Sequence, residues 1–224
     1  MAVLSPAVAA RNGYFDHEAR AQAARERTAE FAARAVTCAL FVVFANQIGV
    51  EFARTGHITG LLLLVSELLV VLLTVVRRPA AVVDRALTTR VIAAVSMVGV
   101  PLIRPAGAPL VADLITASAT AAGLLLIITG KLTLGRSFGL MPANRGVVCR
   151  GIYRLVRHPI YAGYLVTHAA FLVAHPTSWN LAMLATADTA LMIRAVYEER
   201  TLARDAAYAD YMTRVRWRVV PGVF

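Results

Sequence analysis

Apolar residues gather along this chain into six runs, 36–53, 58–76, 87–103, 108–130, 159–175 and 179–196, divided by arginine- or proline-bearing connections. An α-helix rises ~1.5 Å per residue, so runs of about 20 residues match a hydrocarbon core ~30 Å thick. The pattern predicts an all-α, polytopic integral membrane protein with about six transmembrane helices. Only Pro176, Thr177 and Ser178 separate the last two runs, which predicts a tight antiparallel helical hairpin over 159–197. Ahead of the first run, residues 16–33 are alanine-rich, with Asp16, Glu18, Glu26 and Glu30 interleaved with Arg20, Arg25 and Arg27. That composition predicts a charged surface helix leading into the membrane. The chain therefore divides into an N-terminal segment 1–35, four helices over 36–130, and a region 131–224 that contains the hairpin and a tail.

Composition removes the soluble alternative. With 58% hydrophobic and 16% charged residues, the chain has too little polar surface to hide six such runs in a water-exposed domain. The net charge of +10 sits in loops and termini rather than on an aromatic-studded face, so it points to anionic head groups and not to nucleic acid. Arginines also alternate by loop. Arg11, Arg20, Arg25, Arg27 and Arg34 precede the first run, and Arg77, Arg78, Arg85 and Arg90 follow the second. Lys131, Arg136, Arg145, Arg150, Arg154 and Arg157 follow the fourth, and Arg200, Arg204, Arg214, Arg216 and Arg218 follow the last. The intervening connections hold Arg54, Arg104 and no basic residue, respectively. The positive-inside rule then places both termini and the 131–158 loop on the cytoplasmic side of the cell (inner) membrane. The first thirty residues lack the apolar core and small-residue cleavage site of a signal peptide. Cys38 and Cys149 offer neither a disulfide framework nor a metal-ligand spacing, and no metal is expected.

The last two runs are more polar than the others. Tyr161, Tyr164, Thr167 and His168 lie in one, Asn180, Thr186, Asp188 and Arg194 in the other, and ionisable groups inside a membrane segment mark buried partners or a site. Both helices are expected to line a cavity rather than face lipid. Glu67, deep in the second run, is assigned an internal hydrogen-bonding role ahead of a catalytic one. In Arg157-His158-Pro159 the proline suits a first helical turn and pushes the residue before it out of helical geometry, which places His158 at a helix mouth. Gly163 leaves room for a close approach to the backbone, and Gly146 and Gly151 bracket Val147 and Val148 in a loop able to cover a flat ligand. At the far end of the hairpin, Arg194, Glu198 and Glu199 return to the same side as His158. Arg194 and Glu198, four residues apart, share a helix face. They form either a structural ion pair or, across a cavity, separate contacts to an anionic and a cationic ligand group.

The run Gly151-Ile-Tyr153-Arg-Leu-Val-Arg157-His158-Pro159-Ile-Tyr161-Ala-Gly163, followed by Glu198-Glu199-Arg-Thr-Leu202 and Tyr208-Ala-Asp-Tyr211, resembles the isoprenylcysteine carboxyl methyltransferase family, whose wider group includes phospholipid N-methyltransferases. The resemblance covers about residues 130–224, including Leu134-Gly135-Arg136-Ser137-Phe138. It implies a membrane enzyme whose S-adenosylmethionine site lies in 131–224 at the cytoplasmic boundary and whose prenylated or otherwise lipophilic acceptor enters from the bilayer. By the same resemblance Arg145, Gly146, Val147 and Val148 form a wall of the cofactor pocket. Tyr153, His158, Pro159 and Tyr161 enclose the cofactor, Glu198 takes its amino group with Glu199 in support, and Arg194 faces the acceptor. One departure stands out: Ala203-Arg-Asp-Ala-Ala207 replaces the Phe-Gly that the family often carries. Methyl transfer to a carboxylate oxygen, the expected reaction, needs alignment and exclusion of water more than acid-base help. An amine acceptor would first lose a proton, with His158 or a glutamate to receive it. Two alternatives remain at this point: phospholipid N-methylation, and an NADPH-dependent membrane reductase for sterols or enones.

Overall fold

The computed structural model describes residues 6–56, 58–80, 82–84, 86–98 and 100–224. Residues 1–5 of the N-terminal segment and Arg85 lie outside the described residues, as do the side chains of Arg11, Asp16, Glu18, Arg20, Arg25, Glu26 and Arg27. Among the described residues, seven α-helices account for nearly all of the regular structure: α1 Pro6–Thr55, α2 Ile58–Val76, α3 Leu87–Val98, α4 Asp113–Leu134, α5 Pro159–Ala174, α6 Ser178–Leu202 and α7 Ala206–Arg214. Two short strands, β1 Val82–Val83 and β2 Ala143–Asn144, pair antiparallel with Val82 opposite Asn144. The fold is that of an all-α membrane protein.

Among the described residues, three helical stretches are long and apolar enough to cross a bilayer, Glu30–Arg54, Thr59–Val76 and Asp113–Ser137; the shorter apolar helices are Leu87–Met97 and Pro159–Ala174. The predicted N-terminal helix is continuous with the first run, because no proline or helix-ending glycine interrupts the alanine-rich sequence, and α1 runs through Ala35 without a break. The third run is shorter than predicted, since α3 stops at Val98 and a single 3₁₀ turn, Val100–Leu102, carries Pro101. The fourth is displaced toward the C-terminus. Its helix starts at Asp113 and continues to Leu134, where Gly135, at a φ of 50°, reverses the chain.

That displacement corrects the placement of Lys131, predicted as a loop cation. It is fully buried on α4, and its Nζ donates to the carbonyl (2.9 Å) and the hydroxyl (2.8 Å) of Ser66, 4.0 Å from Glu67 Oε1. Glu67 thus has the internal partnership expected of it, completed by the Ser66 hydroxyl at 3.4 Å. Two hydrogen bonds to Ser66 and the carboxylate of Glu67 nearby are what make a charge tolerable at that depth.

The predicted hairpin is open rather than tight. Its connection is short, with Thr177 Oγ1 accepting from the Asn180 amide at 3.1 Å to cap α6. The helices then diverge: α5 packs on α4, α6 on α3, and α5 and α6 touch only sparingly. Glycine explains the first pairing. A Cβ built on Gly163 would stand 2.6 Å from Ile127 Cγ1 and 2.7 Å from the Gly123 carbonyl, and one on Gly130 would stand 2.6 Å from Ile160 Cγ1. Bare backbones at these positions let α4 and α5 close on each other, as small residues do between membrane helices. Gly163 therefore admits a neighbouring helix, not a ligand. At the α5–α6 turn, the side chain of Asn180 clamps the chain ahead of α4, accepting from the Arg104 amide (2.9 Å) and donating to the Arg104 carbonyl (2.8 Å).

Candidate functional site

The loop between α4 and α5, together with α7 and the tail, forms one end of the molecule. Arg78 donates its amide to the Arg136 carbonyl (2.8 Å), and β2 pairs with β1, so the α2–α3 and α4–α5 loops are stitched together. Asn144 extends the stitching in two directions: its Oδ1 accepts from the Gly146 amide (2.9 Å) and its Nδ2 donates to Asp205 Oδ2 (2.8 Å). Asp205 also caps α7 by accepting from the Ala207 amide at 2.9 Å. The segment that departs from the family pattern thus supplies a helix start and a latch on the loop carrying Arg145 to Val148. Val147, Val148 and Tyr153 pack with Tyr208 and Tyr211, and the Tyr211 hydroxyl donates to the Tyr153 carbonyl at 2.6 Å. Burial pushes the Tyr153, Tyr208 and Tyr211 phenols up, so they stay protonated donors.

Glu199 is the hub that fixes the helix mouth. It receives Arg157 through Nε (2.6 Å) and Nη2 (3.2 Å), Arg218 through Nε (2.8 Å), and lies 3.2 Å from His158 Nε2. Burial would raise this carboxyl, but the hydrogen bonds from His158, Arg157 and Arg218 outweigh it and hold it down at about 2. Arg157 also donates through Nη1 to the carbonyls of Val215 (2.8 Å) and Arg216 (3.0 Å). The amides of Arg157 and His158 donate to the carbonyls of Trp217 and Arg218, so the tail lies against the start of α5. Pro159 takes the first helical position of α5, as expected.

Inside this frame lies a cavity of about 1420 Å³ that runs from Tyr208 and Tyr211 at one end to Pro109 and His175 at the other. Arg145, Gly146, Val147, Val148, Tyr153, His158, Tyr161, Arg194 and Glu198 all line it. Pro159 and Glu199 are not among its lining residues. Pro159 is fully buried and Glu199 is spent on Arg157, His158 and Arg218. The Tyr161 hydroxyl donates to Glu198 Oε2 at 2.7 Å, and its ring stacks on His158 with centroids 5.0 Å apart. Arg194 does not pair with Glu198. Its Nη2 donates to the Leu140 carbonyl, its guanidinium lies 5.6 Å over the Tyr161 ring, and its buried Nε has no partner among the described residues. Arg145 is similar: Nη1 reaches the Met141 carbonyl at 3.5 Å and its buried Nε has no partner. Burial, and then the charge of Arg77, lower Arg145 to about 10.

Of the polar residues assigned to a cavity wall, Tyr161, Tyr164, Thr167, His168 and Arg194 line it, whereas Asn180 is the turn clamp, Thr186 faces a separate shallow groove beside α3, and Asp188 stands behind His168. The sequence reading gave no role to Arg157 and Arg218, which hold Glu199, or to Asn144. Adjacency of an arginine to His158 and the cluster of arginines in the tail were the available signals for the first two.

The region that builds the cavity also matches a known family: residues 115–209 match the family model for phospholipid methyltransferase. This stretch, from α4 into α7, is thereby similar to a membrane methyltransferase. No curated protein matches the chain.

Proposed function

We propose that the chain is an S-adenosylmethionine-dependent methyltransferase acting on a lipophilic or lipid-tethered acceptor, with transfer to a carboxylate oxygen. The observation that carries this reading is one continuous cavity that joins a polar end to apolar walls on α1, α2 and α4. Ligand pockets usually occupy roughly 300–1,000 Å³, so a cavity of about 1420 Å³ has room for a cofactor and a lipid together. When bound, S-adenosylmethionine supplies a sulfonium methyl group. The residues present suit it. Glu198 has one oxygen engaged by Tyr161 and the other available to an ammonium group, and the rings of Tyr153, His158 and Tyr161 offer flat surfaces to a nucleoside. Arg145, Gly146, Val147 and Val148 form the opposite wall. The vacant Nε–H of Arg194 suits an anionic group on the acceptor.

His158 is held by Glu199 and Tyr161, so its orientation is fixed before any ligand arrives. For a carboxylate acceptor no proton has to leave, and Arg194 would align the oxygen while the apolar walls exclude water. The family match at 115–209 favours a second reading, phospholipid N-methylation, in which Arg194 meets a phosphodiester and His158 takes the amine proton. The basic loops support a placement in the cell membrane with both termini cytoplasmic.

The test is transfer of a radiolabelled methyl group from S-adenosylmethionine to membrane lipid extract. Label in the organic phase that mild base releases as methanol supports the carboxyl reading, and base-stable label on a phospholipid head group supports the second. No label, with no cofactor binding by folded protein, overturns both.

A further inference from the structure

The cavity does not become uniformly apolar beyond the site just described. One and two turns deeper along α5 than Tyr161, Tyr164 and His168 line it, with ring centroids 6.1 Å apart and planes inclined by 24°. His168 Nδ1 lies 2.6 Å from Asp188 Oδ1 on α6. With Nδ1–H given to that carboxylate, Nε2 carries a lone pair, and the Asp188 contact fixes the ring. Neither His168 Nε2 nor the Tyr164 hydroxyl has a partner among the described residues. One therefore offers an acceptor and the other a donor to the same stretch of cavity. A histidine oriented by a carboxylate from a second helix is more than a lipid tail requires. Tyr161 and His168 are seven residues apart, which along a helix is ~10 Å.

We propose that Tyr164 and His168, positioned by Asp188, form a second subsite for a hydroxyl group on the lipophilic part of the acceptor, ~10 Å from its methylated end. A hydroxyl matches because it donates to Nε2 and accepts from the phenol at once. The acceptor class is then a hydroxylated lipid rather than a plain hydrocarbon chain. This inference rests on the methyltransferase reading for the identity of the ligand as acceptor, but its geometry is independent of it.

The test is competition read by native mass spectrometry on full-length protein released from detergent. The probes are stearate and a series of stearates that each carry one hydroxyl at a different carbon. The expected result is a hydroxyl position that binds about fivefold more tightly than stearate, the size of one net hydrogen bond, with the preference lost in Tyr164→Phe and in His168→Phe. Asp188→Asn, which alters positioning only, should weaken the preference without abolishing it. Circular dichroism and the thermal midpoint of each variant report folding, and S-adenosylhomocysteine binding is measured separately. A flat series in wild-type protein that still binds S-adenosylhomocysteine overturns the subsite alone. A preference that survives both ring substitutions also overturns it. Failure of folded wild-type protein to bind S-adenosylhomocysteine, with the hydroxyl preference intact, overturns the methyltransferase reading and leaves the subsite standing.

Discussion

Arg157 grips Glu199 through two parallel hydrogen bonds, Nε to Oε1 at 2.6 Å and Nη2 to Oε2 at 3.2 Å, with both side chains buried. The pair ties the last turn of α6 to the start of α5 and, through the other donors of Arg157, to the tail at Val215 and Arg216. Removing one charge of a buried pair leaves the other unpaired, so Glu199→Gln should cost about 3–5 kcal/mol of stability. The carboxyl is held at about 2 against an ordinary value of 4.5. A depressed acid pKa contributes stability above the ordinary value, and that stability is lost as pH falls through the lowered one. Wild-type protein should therefore lose roughly 3 kcal/mol from this group as pH falls from about 5 to 2. Thermal unfolding in one detergent across that range checks the claim, since Glu199→Gln should show a shallower acid slope than wild type. Equal slopes would sink it.

The neighbouring Glu198 should behave in the opposite way. It bonds Tyr161 but pairs with no cation among the described residues, and a glutamine keeps an oxygen for the Tyr161 hydroxyl. Glu198→Gln is expected to unfold at nearly the wild-type temperature while binding S-adenosylmethionine more weakly by roughly 1.5–3 kcal/mol, the worth of a hydrogen bond to a charged group. Calorimetry with the two glutamines side by side separates ligand contact from scaffold. Unchanged affinity in Glu198→Gln would remove that residue from the site.

Arg194 offers a third separation. Its guanidinium is anchored to the Leu140 carbonyl and to the Tyr161 ring, with Nε left over. Arg194→Ala should leave cofactor affinity within a factor of about two, while kcat/KM for the lipid acceptor falls by tenfold or more, as for loss of a charge-assisted contact. Loss of cofactor affinity in the same proportion would instead make Arg194 a support of Tyr161 and the cofactor pocket.

Much of this arrangement was legible in the sequence because local rules decided it. Run length marked the three helical stretches long and apolar enough to cross a bilayer, though not six of them; Pro159 marked the start of α5, and the return of Arg194, Glu198 and Glu199 to the level of His158 followed from helix direction alone. What was not legible depended on which helix each residue met. Glu198 and Glu199 are adjacent and chemically identical, yet one faces the cavity and the other the tail, and only the presence of Arg157 and Arg218 decides between them. Lys131 read as a loop cation because a lysine at the end of an apolar run usually is one. Its burial follows from the Ser66 and Glu67 side chains on α2, far away in sequence. The hairpin opened for the same reason: Gly163, which read as a ligand signal, is a contact between α4 and α5.

That last contact gives a prediction about packing. At Gly163 an added Cβ would meet the Gly123 carbonyl at 2.7 Å as well as Ile127 Cγ1 at 2.6 Å, and a backbone carbonyl inside a helix cannot swing away as a side chain can. Gly163→Ala should force α5 off α4 and cost about 1–3 kcal/mol, the range for overpacking a tight interface. At Gly60 on α2, the nearest atom to an added Cβ is Phe52 Cβ at 3.6 Å, an ordinary contact. Gly60→Ala should therefore keep or raise stability by up to about 1 kcal/mol, since alanine is the better helix former. Thermal midpoints of the two variants in one detergent should move in opposite directions. Measured against Ile127→Ala alone, which carries its own cavity cost, the double variant with Gly163→Ala should recover only part of the Gly163→Ala loss, because the side chain is cleared and the carbonyl stays in place. Full recovery would show that α4 and α5 are set apart by Ile127 alone, and that the backbone contact does not limit their approach.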